Sequence, residues 1–211
     1  MRTITKKYNI YNYNELSENA KETVKQWYLD DYSRSREFFD DCMNDLRNIF
    51  PDSDLKVQYS LNSCQGDGVN ICGMLNVNNI ISFPLSHFCG DEFNDLLDYF
   101  TDKEIRTLIN YSGKCGDIKL PENRSYWYCC VDNIDLAAEW TEELKWSCYR
   151  NINIELLEKF QKYVIKIIKR LCSDYEKQGY KHLYEIEDDE LNDFCEANKF
   201  TFLEDGTLFC A

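Results

Sequence analysis

A chain of 211 residues is long enough to bury most of its apolar surface in one core. Its 44% hydrophobic and 15% aromatic residues set it apart from a disordered tail. The 38 acidic residues against 24 basic ones leave a formal charge of −14. Most of such a surface repels phosphate backbones, which argues against direct nucleic-acid binding. It suits a basic partner instead, including the groove of a nucleic-acid-handling protein where carboxylates stand in for phosphates, although acidity also serves plain solubility.

The opening "MRTITKKYNIYNY" has a basic start but no continuous apolar run of the kind a signal peptide needs, and no later stretch is long and apolar enough to span a bilayer. A soluble, cytoplasmic protein is expected. The eleven cysteines are odd in number and come without an export signal, so most are read as reduced core thiols that pack as small hydrophobes. No linker and no internal repeat stands out, and one domain over residues 1–211 is expected.

In "YNELSENAKETVKQWYLDDY", Ser17 precedes Ala20, Val24, Trp27 and Tyr28 at helical spacing with Glu18 in the first turn, which predicts a helix from about Ser17 to Tyr32. In "SREFFDDCMNDLRNIFP", a stripe of Phe38 or Phe39, Cys42, Leu46 and Ile49 or Phe50 predicts a second, stopped by Pro51. The period then changes to two. Leu55, Val57, Tyr59 and Leu61 alternate with polar residues, and Val69, Ile71, Gly73, Leu75 and Val77 resume the alternation after "NSCQGDGVN". That pattern is a β-hairpin with a longer loop.

"DEFNDLLDYF" and "DKEIRTLINYSG" read as short helices, the second closed by Gly113. "SYWYCCVD", Ser125 to Asp132, reads as a strand, with "GDIKL" as its partner. Leu157, Phe160, Val164, Ile167 or Ile168, Leu171 and Tyr175 mark the longest helix, from about Ile154 to Lys177. Lys159, Lys162, Lys166 and Lys169 form a solvated row off its apolar face. A short acidic helix and a terminal hairpin turning at Asp205-Gly206 complete the chain. The fold class is α+β: antiparallel hairpins or a sheet flanked by several helices, with one long helix in the C-terminal half.

Complete catalytic signatures are absent. There is no GxSxG, no GxxxxGK[ST], no GxGxxG and no CxxC, so no cofactor and no metal is expected, and a non-enzyme is the reading. Cys129 and Cys130 cannot both face the same way on a strand. His87 with Cys89 makes at best a local pair without an orienting third group, and His182 stands alone. The adjacent acids Asp30-Asp31 and Asp40-Asp41 read as solvated.

The acidic block is different in degree. Glu185, Glu187, Asp188, Asp189, Glu190, Asp193 and Glu196 carry no basic neighbour between Glu185 and Glu196. A block of this kind persists as a solvated face or as a partner contact. In the hairpin loop, glycines supply positive φ and Asp67 can bond its own backbone, which a turn needs. The functional alternatives present Gln65 and Asp67 to a partner protein, or place them at the pocket mouth of a small enzyme of unrecognised type.

"YNYNELSENAKETVKQWY", "SCQGDGVN" and "DDELNDFCEANKFTFLEDGTLF" resemble, in this order, segments of a family of proteins encoded by bacteriophages and prophages. Its members show an "ELSEEAKEKA"-like helix, an "SQGDG"-like loop and an "EANEYEFTEDG"-like tail. Cys64 within the loop departs from that pattern. Members mostly lack an assigned activity and some carry an antitoxin-like label, so the resemblance implies no catalytic residues. What it implies, with the charge, is a phage-encoded inhibitor of a host defence or nucleic-acid-processing protein: anti-CRISPR-like, directed at a CRISPR effector or nuclease, or an antitoxin directed at a toxin. Neither nucleic acid nor membrane is expected as a direct partner.

Overall fold

The computed structural model describes residues 2, 6–62, 66–81, 100–122, 130–147, 149 and 151–209. Gln65, His87, Cys89, nearly all of the helix expected in "DEFNDLLDYF" and residues 125–129 of the expected aromatic strand lie outside them. The described residues hold seven α-helices and a three-stranded antiparallel sheet, an α+β fold. Contacts divide the chain into two compact units, Phe39–Gln178 and Met1–Phe38 with Gly179–Ala211.

In the first of these units, β1 (Asp54–Ser60) and β2 (Gly68–Leu75) form the expected hairpin, paired from Asp54↔Met74 to Ser60↔Gly68. Leu55, Val57, Val69, Ile71 and Leu75 share its buried face. The short β3 (Ile118–Leu120) pairs antiparallel with β2 and adds Ile118 and Leu120 to that face. "GDIKL" is therefore a strand, paired with the hairpin; its expected pairing with the aromatic segment falls on residues outside the described ones, and Val131–Asn133 form a 3-10 turn.

The opposite face of β2 is pinned by Asn70. Its buried amide donates to Gln58 Oε1 and to the Pro121 carbonyl, each at 3.1 Å, and accepts from the Cys130 N–H at 2.8 Å. Three bonds meet most of what an amide can make, which is what burying one requires.

Two local corrections follow from capping chemistry. Val77 does not extend β2: the Asn76 side chain accepts the Asn78 N–H at 2.9 Å and starts a short helix, α3 (Val77–Ile81). Likewise Gly113 lies inside a helix and does not close it. The stop is Gly116, at φ +78, whose N–H reaches the Ser112 carbonyl at 2.8 Å. That helix runs from Asp102 to Cys115 and is numbered α4 after α1 (Glu18–Leu29) and α2 (Tyr32–Ile49).

At its start Thr101 and Glu104 make a reciprocal capping box. The Thr101 backbone N–H, the Lys159 ammonium and the Thr101 hydroxyl together hold the Glu104 carboxyl down at about 2. Helix α5 (Leu136–Trp146) buries Leu136, Trp140 and Leu144 at four-residue spacing. The long α6 (Ile154–Tyr184) runs two turns beyond the expected end. Asn153 caps its start by accepting the Leu156 N–H at 3.1 Å, and its stripe from Leu157 to Tyr175 is buried as expected. Of the lysine row, Lys162, Lys166 and Lys169 are exposed, while Lys159 is partly covered and pairs with Glu104.

The other unit is built around Tyr13, Leu16, Ala20, Val24, Ile186, Leu191, Cys195 and Phe202. Ser17 accepts the Ala20 N–H and caps α1, as its position predicts. Helix α7 (Asp188–Ala197) contributes Leu191 and Cys195. The terminal hairpin turns where expected: Leu203 donates to the Thr207 carbonyl at 2.8 Å, and Thr207 donates to the Asp205 carboxylate at 2.9 Å. A pairing that local pattern does not contain joins the two ends of the chain, because Tyr11 and Phe202 exchange both backbone hydrogen bonds at 2.9 Å.

Buried Arg34 is the least expected side chain here. It stacks over the Tyr28 ring at 4.5 Å and donates to the carbonyls of His182 and Glu185, capping the C-terminal end of α6 where carbonyls lack helical partners. His182 Nε2 donates in return to the Arg34 carbonyl at 3.0 Å, so the one described histidine is a structural partner.

Candidate interaction site

The acidic block occupies the turn from α6 into α7. Ile186 and Leu191 are buried, and between and beyond them Glu185, Glu187, Asp188, Asp189, Glu190 and Asp193 are exposed. Alternation of anchors and acids explains why a strongly acidic segment still has a fixed path. Part of the charge is accounted for locally. Asp188, Asp189 and Glu190 fill the first turn of α7, where unpaired N–H groups favour anions. Asp188 also accepts from the Tyr13 hydroxyl at 3.2 Å and pairs with Lys25 at 3.5 Å. Burial, with the neighbouring Asp188 second, pushes the Tyr13 phenol above its ordinary range.

Alongside, α1 and the α6–α7 turn enclose a groove of about 540 Å3. Glu22, Asp30, Glu185 and Glu187 line it, with Leu29 and Ile186 among its apolar residues. Sequence reasoning located Glu185 and Glu187, read Asp30 only as a solvated acid and passed over Glu22. The available signal was Glu22, Gln26 and Asp30 recurring every fourth residue on one face of α1.

Asp67 belongs to the other unit. Its carboxylate accepts the Asn62 N–H at 2.6 Å and the Ser60 hydroxyl at 3.3 Å, closing the hairpin loop between Gly66 and Gly68, which have φ +103 and +156. A second cavity, about 550 Å3, opens over the sheet beside Lys56, Met74 and Lys119. Buried thiols behave as packing groups: burial pushes Cys42 up to about 12 and Cys195 up to about 11, away from the thiolate that nucleophiles and metal ligands need. Among the described residues no group of three or more His, Cys, Asp or Glu is placed to hold a metal ion, and no helix is long and apolar enough to cross a membrane.

No family model, curated protein or solved structure matches the chain.

Proposed function

We propose that this chain is an acidic interaction protein that binds and inhibits a basic, nucleic-acid-handling protein of a bacterial host. The observation that carries the reading is the exposed acidic turn Glu185–Asp193, held on the buried anchors Ile186 and Leu191. Blocking a basic groove needs complementary surface and charge and no nucleophile. The resemblance to phage-encoded proteins supports the partner classes: a CRISPR effector, a nuclease or a toxin. The enzyme alternative at Gln65 and Asp67 finds less support, because the Asp67 carboxylate is engaged in its own turn.

The test is affinity capture from a bacterial lysate at ~0.1 M and ~0.5 M salt, with exposed charges screened over about 10 Å at the lower value. Retention of a basic nuclease or ribonucleoprotein at low salt, its loss at high salt, and its loss on combined reversal of Glu187, Asp189 and Glu190 are expected. Capture that ignores both salt and charge reversal would remove the acidic turn from the mechanism.

A further inference from the structure

The groove beside the acidic turn combines two chemistries. Leu29, Leu183 and Ile186 give it apolar walls, and Tyr184, 46% exposed, lines it as well. The side chains of Glu22, Glu185 and Glu187 make no hydrogen bond or ion pair with any described residue. Lys25, the cation among the lining residues, is engaged with Asp188 at 3.5 Å. The groove thus presents unpaired carboxylates around apolar and aromatic surface.

We infer that this groove seats an arginine side chain of the partner protein, an assignment that rests on the binding role proposed above. A guanidinium is planar and weakly hydrated, stacks on aromatic rings and pairs with carboxylates through a fork of donors, while its methylene stem covers apolar surface. Each of those properties has a counterpart in the groove. A lysine ammonium matches only the charge, since it is compact and strongly hydrated. The same unit already stacks one arginine on an aromatic ring, Arg34 4.5 Å over Tyr28, with its donors on backbone carbonyls.

The test is an NMR titration of the full-length chain with N-acetyl-arginine amide, using N-acetyl-citrulline amide as the uncharged isostere and N-acetyl-lysine amide as the charge control. Saturable shifts of the Leu29, Leu183 and Ile186 methyls and of the Tyr184 ring are expected with arginine. Lysine should saturate more weakly and citrulline should not saturate. The exposed pair Glu185→Gln and Glu187→Gln should weaken the arginine response about fivefold or more, as should Glu22→Gln alone to a smaller degree. Equal responses to arginine and citrulline, shifts spread evenly over the acidic surface, or no saturable shift would overturn the assignment. If salt-sensitive capture succeeds and this titration fails, the groove is lost and the binding role stands. If capture itself fails, the binding role falls whatever the titration gives.

Discussion

Replacing Gly206 and Gly113 by alanine, one at a time, makes the same chemical change in two settings and calls for opposite outcomes. Gly206 sits at φ +87, where an L side chain costs about 1–2 kcal/mol. A Cβ there would also drive into the Ala20 carbonyl oxygen and meet the Thr23 side chain. The carbonyl belongs to the backbone of α1 and cannot swing aside, so overpacking adds about 1–3 kcal/mol. The sum is about 3 kcal/mol of destabilisation. Gly113 lies in the interior of α4, with nothing within 4 Å of the position a Cβ would take. Alanine there removes unfolded-state freedom and gains about 0.5–1 kcal/mol. The assay is urea unfolding followed by far-UV circular dichroism. With a slope of about 2 kcal/mol/M, the midpoint should fall by about 1.5 M for Gly206→Ala and rise by about 0.3–0.5 M for Gly113→Ala. Shifts of the same sign at both sites, or a Gly206→Ala protein within about 0.5 kcal/mol of the parent, would refute the geometry of the terminal turn.

Asn70→Ala should cost about 2–4 kcal/mol in the same assay, because the Cys130 N–H and the Pro121 carbonyl lose their buried partner; a cost below about 1 kcal/mol would show that Asn70 does not pin the sheet. Arg34→Met keeps much of the side-chain bulk but leaves the His182 and Glu185 carbonyls at the end of α6 without their donor. A loss of about 2 kcal/mol or more is expected, read as well by faster amide exchange in the last turn of α6. Glu104, held at about 2 against an ordinary 4.5, contributes stability that is present above pH 4.5 and is lost as pH falls toward 2. In Glu104→Gln that part of the acid limb should flatten, and an unchanged pH profile between those values would mean that the capping box and Lys159 do not hold the carboxylate.

What could be read in the sequence is what is local. Ser17 caps α1 because a hydroxyl before an apolar-periodic run satisfies free N–H groups wherever it occurs, and Asp205-Gly206 turns a hairpin for reasons contained in those two residues. Alternation places Val77 in β2 because it cannot register that the preceding Asn76 offers an N-cap. Helix α5 does not stand out in the sequence although Leu136, Trp140 and Leu144 keep helical spacing, since Ala137, Ala138 and Trp146 spread apolar character off that stripe and an aromatic, cysteine-rich stretch precedes it. Out of reach altogether were the contacts between distant segments: β3 on β2, Tyr11 on Phe202, Arg34 on the end of α6. The site divides in the same way. Its acidic turn is consecutive and therefore visible, whereas Glu22 and Asp30 join it only through the fold.

Within that turn the acids are not equivalent, and the difference separates stability from binding. Asp188, Asp189 and Glu190 stabilise the N-terminus of α7, so reversing them lowers stability by about 0.3–1 kcal/mol each whatever they bind. Glu185 is placed the other way. It follows the last residue of α6, the end of a helix that favours cations, and its side chain makes no ion pair with a described residue. Helix electrostatics therefore give no reason for an acid there, while the proposed arginine seat does. Glu185→Lys should leave the unfolding midpoint unchanged or raise it slightly, and should weaken salt-sensitive capture of the partner together with the arginine response. A variant that is as stable as the parent and captures as well would take Glu185 out of the interface and leave its charge a matter of solubility.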